Sequence, residues 1–353
     1  MSSRATLQDI ADLVGVTKMT VSRYLNNRDS VAKETADKIQ KAIEKLGYIP
    51  NRVPSMMSKS RSYAVGLLIP SFSNLVFPDV IDGVQEIALA NNYNVLIAHT
   101  GYSNTDEESQ IASLLSYKVD GLILTESAHT RQSLKMLSNA AIPVVELMEY
   151  RERPVDMCVG LDHETIAYNI TKALIESGRK HIAYFGVRLD RRTMLRAQGY
   201  ERALSEYGLE SYTCYNKSRS NFTMGGDLMR KAVAEINDLD AIICTNDDVA
   251  VGALIAAMDL KLSIPDDIAV VGYNGLNIGQ ATIPKLCSVD TPRHEMGRVA
   301  MQLILDRLNN KVSSKVRIML ECSITQGMSL TEQEYNTMQR LLIASVDVNN
   351  TQR

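Results

Sequence analysis

The chain has 353 residues, which exceeds the usual size of one compact domain, so its length favours two or three domains. Hydrophobic residues make up 45% of it, enough for a sizeable core, and its formal net charge is −3. No run of about 18 apolar residues occurs, which argues against a membrane span, and the N-terminus lacks the apolar stretch of a signal peptide. Five scattered cysteines without CxxC spacing predict reduced thiols in a cytoplasmic protein.

The charge is distributed unevenly along the chain. Residues 1–62 contain 11 Lys and Arg against 6 Asp and Glu, whereas residues 63–353 contain 27 against 35. A basic segment attached to an acidic remainder predicts a polyanionic partner for that segment only. Chance variation in surface charge also produces such an excess. The excess is informative here because residues 1–62 also contain the two short helices predicted at the N-terminus.

Two short helices joined by a tight turn are predicted at the N-terminus, where TLQDIADLV is followed by GVTKMTVSRYL. Thr6 and Asp9 have the spacing of a capping box, which begins a helix. Ile10, Leu13 and Val14 then share one helical face. This first helix therefore has an apolar face that can pack against a neighbour.

The second helix is predicted to begin at a Thr17 cap, after Gly15 has ended the first in the left-handed conformation. Val21 and Leu25 then face inward, against a third helix over Lys33–Leu46. A helix-turn-helix of this kind can place its second helix in the major groove of DNA. The side chains of this segment predicted to contact DNA are Thr6, Thr17, Lys18, Met19, Thr20, Ser22, Arg23 and Asn26.

The combination of VTKMTVSR with GYIPN resembles the headpiece of the LacI/GalR family of transcription repressors. The resemblance extends over about residues 5–325. The alternative is a small three-helix bundle that packs on a larger domain, but outward-facing Lys18 and Arg23 do not suit such packing. One local departure is Ala32, which stands where the family usually has a Ser cap at the start of the third helix.

A polar linker, YIPNRVPSMMSKSRS over residues 48–62, follows the three helices. The resemblance implies that it forms a hinge helix on DNA, and that paired hinge helices push an apolar side chain into the minor groove. Met57 stands where the family usually has Leu, and Asn51 can cap such a helix. Asn51, Arg52 and Met57 are therefore predicted DNA contacts; the alternative is a disordered tether.

From residue 64 onward, short apolar strands alternate with helical stretches, as in AVGLLI (64–69), NVLIAH (94–99) and GLIL (121–124). This alternation is typical of βαβ units and a parallel sheet. The pattern restarts near residues 160–163 and continues to residue 290, and a last strand is predicted near residues 317–323. The repetition predicts two similar α/β subdomains in tandem. The predicted fold class is therefore α/β, with an N-terminal three-helix headpiece and a two-subdomain core built on parallel sheets.

The resemblance implies a core like that of periplasmic sugar-binding proteins, in which the chain crosses between subdomains near residues 161, 291 and 323. The predicted ranges are 1–49 for the headpiece, 50–62 for the hinge linker, 63–330 for the core and 331–353 for a C-terminal tail. Within the core, residues 63–161 with 291–322 form one subdomain, and residues 162–290 with 323–330 form the other. The tail is too short and irregular for a coiled coil, which favours a dimer over a tetramer.

Signatures of catalysis and nucleotide binding are absent from the sequence, which contains no GxGxxG, GxxxxGK[ST], HExxH or GxSxG. The five histidines are dispersed without the spacing of metal ligands. We therefore predict no catalytic residue, no metal and no cofactor, which argues against an enzyme.

Polar residues at the carboxyl ends of the predicted strands indicate a ligand site, because ligands of open parallel sheets bind there. In a two-lobed protein these ends face the cleft, where hinge closure can report occupancy. Each residue alone is equally well explained as a turn or cap, but their position at the same end of successive strands favours a site. The predicted effector contacts are Ser71, Asn74, Phe77, Thr125, Glu126, Arg196, Asn246 and Asn274.

The resemblance implies that Arg196 reaches into the cleft and that Asn246 and Asn274 bind sugar hydroxyls. Sugar-binding members commonly have Asp at the positions of Asn274 and Met148, whereas this chain has neutral residues at both. Less negative charge beside a retained arginine favours an anionic ligand. The segments GLILTESAHT and PVVELMEYR also resemble the gluconate-utilisation repressors of this family.

Acids near the cleft oppose that assignment, because Glu126, Glu146 and Glu149 would repel a sugar acid. On balance the sequence predicts a cytoplasmic, homodimeric repressor that binds a palindromic double-stranded DNA operator and is released by a sugar acid, gluconate. The alternatives are a regulator that responds to a neutral or phosphorylated sugar, a solute-binding protein for transport, and a sugar-metabolising enzyme.

Overall fold

The computed structural model describes residues 5–49, 61–311 and 316–350, with side chains described to residue 343 in the last helix. Two compact units make up the chain, Met1–Ser62 and Tyr63–Arg353. Three predicted DNA contacts of the linker lie outside the described residues, namely Asn51, Arg52 and Met57. Within the described part of the chain, no helix combines the length and the apolar character needed to cross a membrane.

The described part of the N-terminal unit contains the α-helices α1 (Leu7–Val14), α2 (Lys18–Asn26) and α3 (Lys33–Leu46), with a 3-10 turn at Arg28–Ser30 before α3. The backbone N of Thr6 donates to the Asp9 carboxylate at 2.7 Å, and Asp9 N donates to the Thr6 hydroxyl. Gly15, at φ 75°, ends α1, and Thr17 caps α2. The predicted capping box, turn and second cap are thereby confirmed, and Ala32, at the cap position before α3, provides no side-chain hydrogen bond.

A small apolar core, which includes fully buried Ile10 and Ile39, holds these helices together. Tyr24 of α2 is also buried in it, although the sequence analysis did not place it there. Leu13 was predicted to face inward but is 47% exposed. The reason is that the buried face of α1 is centred on Ile10 and Ala11, about 110° around the helix from Leu13.

Lobe 1 of the second unit consists of a sheet with helices on its faces. Its elements are β1 (Ala64–Ile69), α4 (Phe77–Ala90), β2 (Asn94–His99), α5 (Asn104–Ser116), β3 (Gly121–Leu124), α6 (Arg131–Ala140), β4 (Val144–Glu149), β5 (Met157–Leu161), α12 (Arg293–Leu308) and β11 (Arg317–Met319). The strand order is β11-β5-β4-β3-β1-β2, and the described strands pair in parallel throughout. Apolar side chains bury both faces of β1, β3, β4 and β5, as in a parallel sheet of an α/β protein, whereas the edge strand β2 is largely exposed.

Lobe 2 repeats this arrangement. Its elements are α7 (His163–Glu176), β6 (Ile182–Val187), α8 (Arg191–Glu206), β7 (Tyr212–Asn216), α9 (Phe222–Glu235), β8 (Ala241–Cys244), α10 (Asp247–Asp259), β9 (Ala269–Asn274), α11 (Asn277–Gln280), β10 (Cys287–Asp290), β12 (Ser323–Ile324) and α13 (Glu332–Asn350). The strand order is β12-β10-β9-β8-β6-β7, and only β12 runs antiparallel to its neighbour among the described pairs. Each lobe thus contains the same sequence of strands, which confirms the predicted α/β class with tandem subdomains.

Two strand assignments differ from the prediction. β5 was missed because only residues 150–156 separate it from β4, without the intervening helix that a βαβ pattern leads one to expect. The final strand, predicted near residues 317–323, is two short strands, β11 in lobe 1 and β12 in lobe 2. The chain therefore crosses from one lobe to the other between them.

The C-terminal segment is helical rather than a plain tail. Met338 and Leu342 of α13 are buried against lobe 2, where α13 packs on α7. Glu334 forms an ion pair with Arg179 at 2.6 Å, and both side chains are largely buried. Asn169 of α7 donates to a carbonyl of α13 at 3.2 Å, which fixes the two helices together. Burial of one apolar face explains why this irregular sequence forms a helix.

Candidate functional site

The exposed face of α2 is the candidate DNA-binding surface of the N-terminal unit. Lys18 and Arg23 are exposed, and Met19 is 70% exposed at the start of the helix. The ion pairs described in this unit involve other side chains, so both cations are available to a polyanion. Side chains at the start of a recognition helix are those that reach base edges in helix-turn-helix proteins.

The other predicted DNA contacts of this unit take part in local hydrogen bonds. Thr6 caps α1, and the hydroxyls of Thr17 and Thr20 lie 2.9 Å apart at the start of α2. The Asn26 amide donates to the Ser22 carbonyl at 2.9 Å. Groups at helix N-termini can still donate to phosphate oxygens, so this arrangement suits positioning on the DNA backbone rather than base readout.

The second candidate site is a cleft between the lobes, at the carboxyl ends of strands from both sheets. Its cavity volume is about 50 Å³, and part of the cleft is open to solvent. Small-molecule sites usually measure about 300–1,000 Å³, so a sugar-sized ligand requires the lobes to move apart. Its lining residues are Asn74, Val76, Phe77, Met148, Val187, Arg188, Asp190, Arg192, Thr193, Arg196, Ser220, Thr245, Asn246, Asp248, Asn274 and Leu276.

The structure brings together most of the predicted effector contacts. Those that line the cleft are Asn74, Phe77, Arg196, Asn246 and Asn274. Ser71, Thr125 and Glu126 are outside the lining and have structural partners instead. The Ser71 hydroxyl accepts from the backbone of the following turn, the Thr125 hydroxyl donates to a β1 carbonyl at 2.9 Å, and Glu126 pairs with an arginine of α8.

Arg196 of α8 is buried in the cleft wall, with its guanidinium 3.6 Å from the ring centre of Tyr273. It donates to the Thr245 carbonyl, and its Nη2 lies 3.3 Å from Nδ1 of His163. Within the described residues no carboxylate forms an ion pair with Arg196, although cations this buried are normally paired. The cleft therefore contains a buried positive charge that an anion can neutralise.

His163 connects Arg196 to the backbone of lobe 1. Its Nε2 lies 3.0 Å from the Met148 carbonyl, which can only accept, so Nε2 carries the proton and Nδ1 is an acceptor. Nδ1 accepts from the Tyr273 hydroxyl at 2.8 Å. Burial and the adjacent Arg196 lower the pKa of His163 well below its usual value, which keeps the ring neutral.

Charged residues that the sequence analysis missed lie beside Arg196. Arg192, one turn earlier on α8, donates to the carboxylate of Glu126 at 2.8 Å and to the Thr125 carbonyl at 2.8 Å. Asp190 pairs with Arg188, and its carboxylate lies 3.8 Å from Arg192. Burial opposes ionisation of Asp190, but the nearby arginines hold its pKa well below the usual range. The four-residue spacing of Arg192 and Arg196 places both on one face of α8, and this sequence signal could have identified Arg192.

Side-chain amides supply uncharged donors and acceptors in the cleft. The Asn246 Oδ1 accepts a capping hydrogen bond at the start of α10, which leaves its Nδ2 free to donate. Among the described residues, none forms a hydrogen bond with the Asn274 amide. Asn74 is more constrained, because its Nδ2 donates to the Tyr102 hydroxyl at 2.9 Å. Asn246 and Asn274 are therefore the amides best placed to bind a ligand.

Both lobes have a residue with positive φ where a strand reaches the cleft. Met148 near the end of β4 has φ 78°, and Asn274 at the end of β9 has φ 117°. The Asn274 carbonyl is held by Arg293 and by the Thr291 hydroxyl. Such backbone conformations cost about 1–3 kcal/mol each and concentrate at functional sites.

Three glutamates near the cleft, which would repel an anionic ligand if they were unpaired, each have a cationic partner. Glu146 pairs with Arg151 and lies 3.3 Å from His129, and Glu149 pairs with Arg191 at 2.8 Å. Glu126 is paired with an arginine as described above. In the ranges 5–49, 61–311 and 316–343, no cluster of His, Cys, Asp and Glu could hold a metal ion.

Two family models match the chain. The model "Bacterial regulatory proteins, lacI family" matches residues 6–51, and "Periplasmic binding proteins and sugar binding domain of LacI family" matches residues 62–326. Together they cover the helix-turn-helix unit and both lobes. The chain therefore belongs to the LacI family, and it is a DNA-binding transcriptional repressor rather than an enzyme.

Known relatives are similar over nearly the whole chain. The HTH-type transcriptional regulator GntR of Escherichia coli (strain K12) is 43% identical over 327 residues, which are 93% of this chain and 99% of the relative. The regulator IdnR of the same strain is 42% identical over 328 residues, with the same coverage. A solved LacI-family regulator from Silicibacter pomeroyi has a TM-score of 0.85 at 30% identity and covers 92% of this chain and 99% of its own. The transcription regulator GntR from Chromobacterium violaceum has a TM-score of 0.72 at 30% identity, with 75% and 98% coverage.

Proposed function

We propose that this repressor controls genes of sugar-acid catabolism in the bacterial cytoplasm, and that gluconate binds in the interlobe cleft and releases the operator. The observation that carries the proposal is Arg196, a buried cation without a carboxylate partner in the described chain. A guanidinium binds a carboxylate through two parallel hydrogen bonds. The amides of Asn246 and Asn274 both donate and accept, which suits the hydroxyls of an aldonic acid.

Two further features support a sugar acid over a neutral sugar. Met148 and Asn274 are neutral where sugar-binding members of the family have Asp, so two acids that would repel a carboxylate are replaced by neutral side chains. A neutral sugar would also leave Arg196 buried and without a counter-charge, which is unfavourable. The segments around Glu126 and Glu149 resemble those of gluconate-utilisation repressors.

A phosphorylated sugar is the second candidate, because Arg188 and Arg192 also line the cleft. Both arginines are already paired, with Asp190 and Glu126 respectively. A phosphate would have to displace one of these carboxylates. A single carboxylate on Arg196 requires no such rearrangement.

Arg196→Ala is expected to weaken gluconate binding by at least about 100-fold, because it removes a charged pair of hydrogen bonds worth about 1.5–3 kcal/mol each. Operator binding should persist, since the DNA-binding helices form a separate compact unit. Gel shifts with and without gluconate, together with calorimetry, measure both effects. The expected variant retains its DNA complex at gluconate concentrations that release the wild type.

The matched control is Arg230→Ala, which removes an exposed guanidinium from lobe 2 outside the cleft and should leave the response unchanged. Arg196→Lys keeps the charge and tests whether a folded protein still loses affinity without the bidentate geometry. Unchanged gluconate affinity in Arg196→Ala, or tighter binding of glucose than gluconate by the wild type, would contradict the proposal.

For DNA recognition we propose that residues 1–49 are the headpiece, 50–62 the linker and 63–330 the core, with 331–353 appended to it. One headpiece makes too few contacts to be selective. A two-fold homodimer, rather than a tetramer, would present recognition helices about 34–36 Å apart, or a multiple of that, to a palindromic operator.

Lys18→Ala is expected to change half-site preference and to weaken operator binding by about 1–3 kcal/mol, because Lys18 can donate to guanine O6 and N7. Fluorescence anisotropy with the operator, with half-site variants and with random DNA measures specificity and affinity separately. Lys41→Ala removes one exposed positive charge from α3 and controls for net charge. If Lys18→Ala loses the same affinity for operator and for random DNA, Lys18 contacts phosphate only and does not read the sequence.

A further inference from the structure

Side-chain contacts bridge the two lobes beside the cleft. Arg192 of lobe 2 lies 2.8 Å from Glu126 of lobe 1, and Arg191 lies 2.8 Å from Glu149. The His163 ring joins the lobes as well, through the backbone of β4. A ligand held between the lobes would therefore contact protein groups of both lobes.

The charged groups of the cleft lining differ in whether they have a counter-charge. Arg188 and Arg192 are paired with acids, as described above. Arg196 and Asp248 are the charged lining residues for which the described chain provides no ion pair, either with each other or with a third group. The cleft thus presents to the same ligand one cation and one acid that have no ion-pair partner, although Asp190 also interacts electrostatically with Arg196.

Asp248 lies in the first turn of α10, next to the Asn246 cap. Its carboxylate accepts a hydrogen bond from the Ser220 hydroxyl at 2.9 Å. Burial raises the pKa of Asp248 above its ordinary value, and the Ser220 hydrogen bond offsets only part of this shift. The N-terminus of α10 also favours the ionised carboxylate. Spare lone pairs of Asp248 remain to accept hydrogen bonds from a ligand.

We propose that Asp248 restricts the cleft to sugar acids that carry a single anionic group and end in hydroxyls. This inference rests on the function proposed above, in which the ligand carboxylate binds Arg196. The hydroxyl end then donates to Asp248. A second carboxylate or a phosphate at that end would face Asp248 without an unpaired arginine beside it, because Arg188 and Arg192 are already paired with acids.

The purely structural alternative is that Asp248 stabilises the first turn of α10 and does not affect ligand choice. The two roles differ in one measurable respect. A structural acid changes the stability of the protein, whereas a selecting acid changes the ratio of affinities for ligands that differ only in terminal charge.

Calorimetry on the full-length wild type and on Asp248→Asn, with gluconate, glucarate and 6-phosphogluconate, tests the inference. Glucarate has the six carbons of gluconate but carries a second terminal carboxylate. The wild type is expected to bind gluconate at least about 100-fold more tightly than either of the other acids. Asp248→Asn keeps the shape of the side chain and its hydrogen bond with Ser220. It should bind glucarate and 6-phosphogluconate more tightly than the wild type does, so that gluconate is preferred by only about 10-fold or less.

Asp259→Asn is the matched control, because Asp259 is an exposed acid at the other end of α10. Asp259→Asn should have the same ratio of affinities for gluconate and the two other acids as the wild type. If the wild type binds glucarate or 6-phosphogluconate as tightly as gluconate, or if Asp248→Asn leaves the ratio unchanged, Asp248 does not select the ligand, and the sugar-acid function still stands. If the wild type binds no sugar acid, the proposed function fails and this inference fails with it.

Discussion

Asn274→Asp is expected to abolish gluconate binding without unfolding the protein. Asn274 ends β9 with φ 117°, lines the same cleft as Arg196 and is only 9% exposed. Asp tolerates positive φ in the same way as Asn, so the substitution changes charge more than shape. At an effective dielectric of about 20, two carboxylates about 4 Å apart repel by roughly 4 kcal/mol, which is roughly a 1000-fold loss of affinity.

Calorimetry with gluconate and glucose on both proteins measures this effect. A neutral glucose carries no charge to be repelled, so its binding should be unchanged or strengthened by the new acceptor. Asn310→Asp is a suitable control, because Asn310 is an exposed asparagine with φ 58° outside the cleft. If Asn274→Asp still binds gluconate as tightly as the wild type, the assignment of a sugar acid to this cleft is wrong. Only the broader assignment of a sugar-like effector then remains.

The helix-turn-helix could be predicted closely because its determinants are local. The Thr6 and Asp9 capping box, the left-handed Gly15 and the Thr17 cap each depend on residues within four positions of one another. Tyr24 was missed because its burial depends on a third helix, a contact that spacing within α2 does not reveal. Local signals therefore located the helices but only part of their core.

The strand ends that form the cleft could also be predicted, but not which of their side chains face it. Thr125 and Glu126 follow β3 at the expected edge, yet both are turned toward partners in the protein. Arg192 and Asp248 were not predicted, because their roles depend on residues 66 and 28 positions away. Position along a strand predicts the edge of a site, whereas orientation depends on tertiary partners.

His129 lies in a buried charge cluster of lobe 1, and the sequence analysis assigned it no role. Its Nδ1 lies 2.8 Å from Glu107 and its Nε2 3.3 Å from Glu146, and all three side chains are almost fully buried. Burial alone would lower the pKa of His129, but the hydrogen bonds and charges of the two glutamates outweigh it and raise the pKa to about 9. The imidazolium therefore holds two buried carboxylates together at neutral pH.

His129→Gln is accordingly expected to cost about 3–5 kcal/mol in the free energy of unfolding at neutral pH. The substitution leaves Glu107 buried without a cation, since His129 is its only ion-pair partner in the described chain. Urea unfolding of the full-length protein measures this cost. The exposed His99 provides the control, and His99→Gln should change stability little. A double variant that also carries Glu107→Gln should recover part of the loss, because the uncompensated charge is removed.

The pH dependence distinguishes this charge effect from simple loss of packing. A histidine whose pKa is raised on folding contributes its full stability below about pH 6.5, and the contribution is lost as the pH rises through about 9. The difference in unfolding free energy between wild type and His129→Gln should therefore be largest near pH 6 and should shrink by about 3 kcal/mol as the pH rises from there to above 9. A difference that stays constant over this range would mean that His129 is neutral in the folded protein and that the two glutamates share a proton instead.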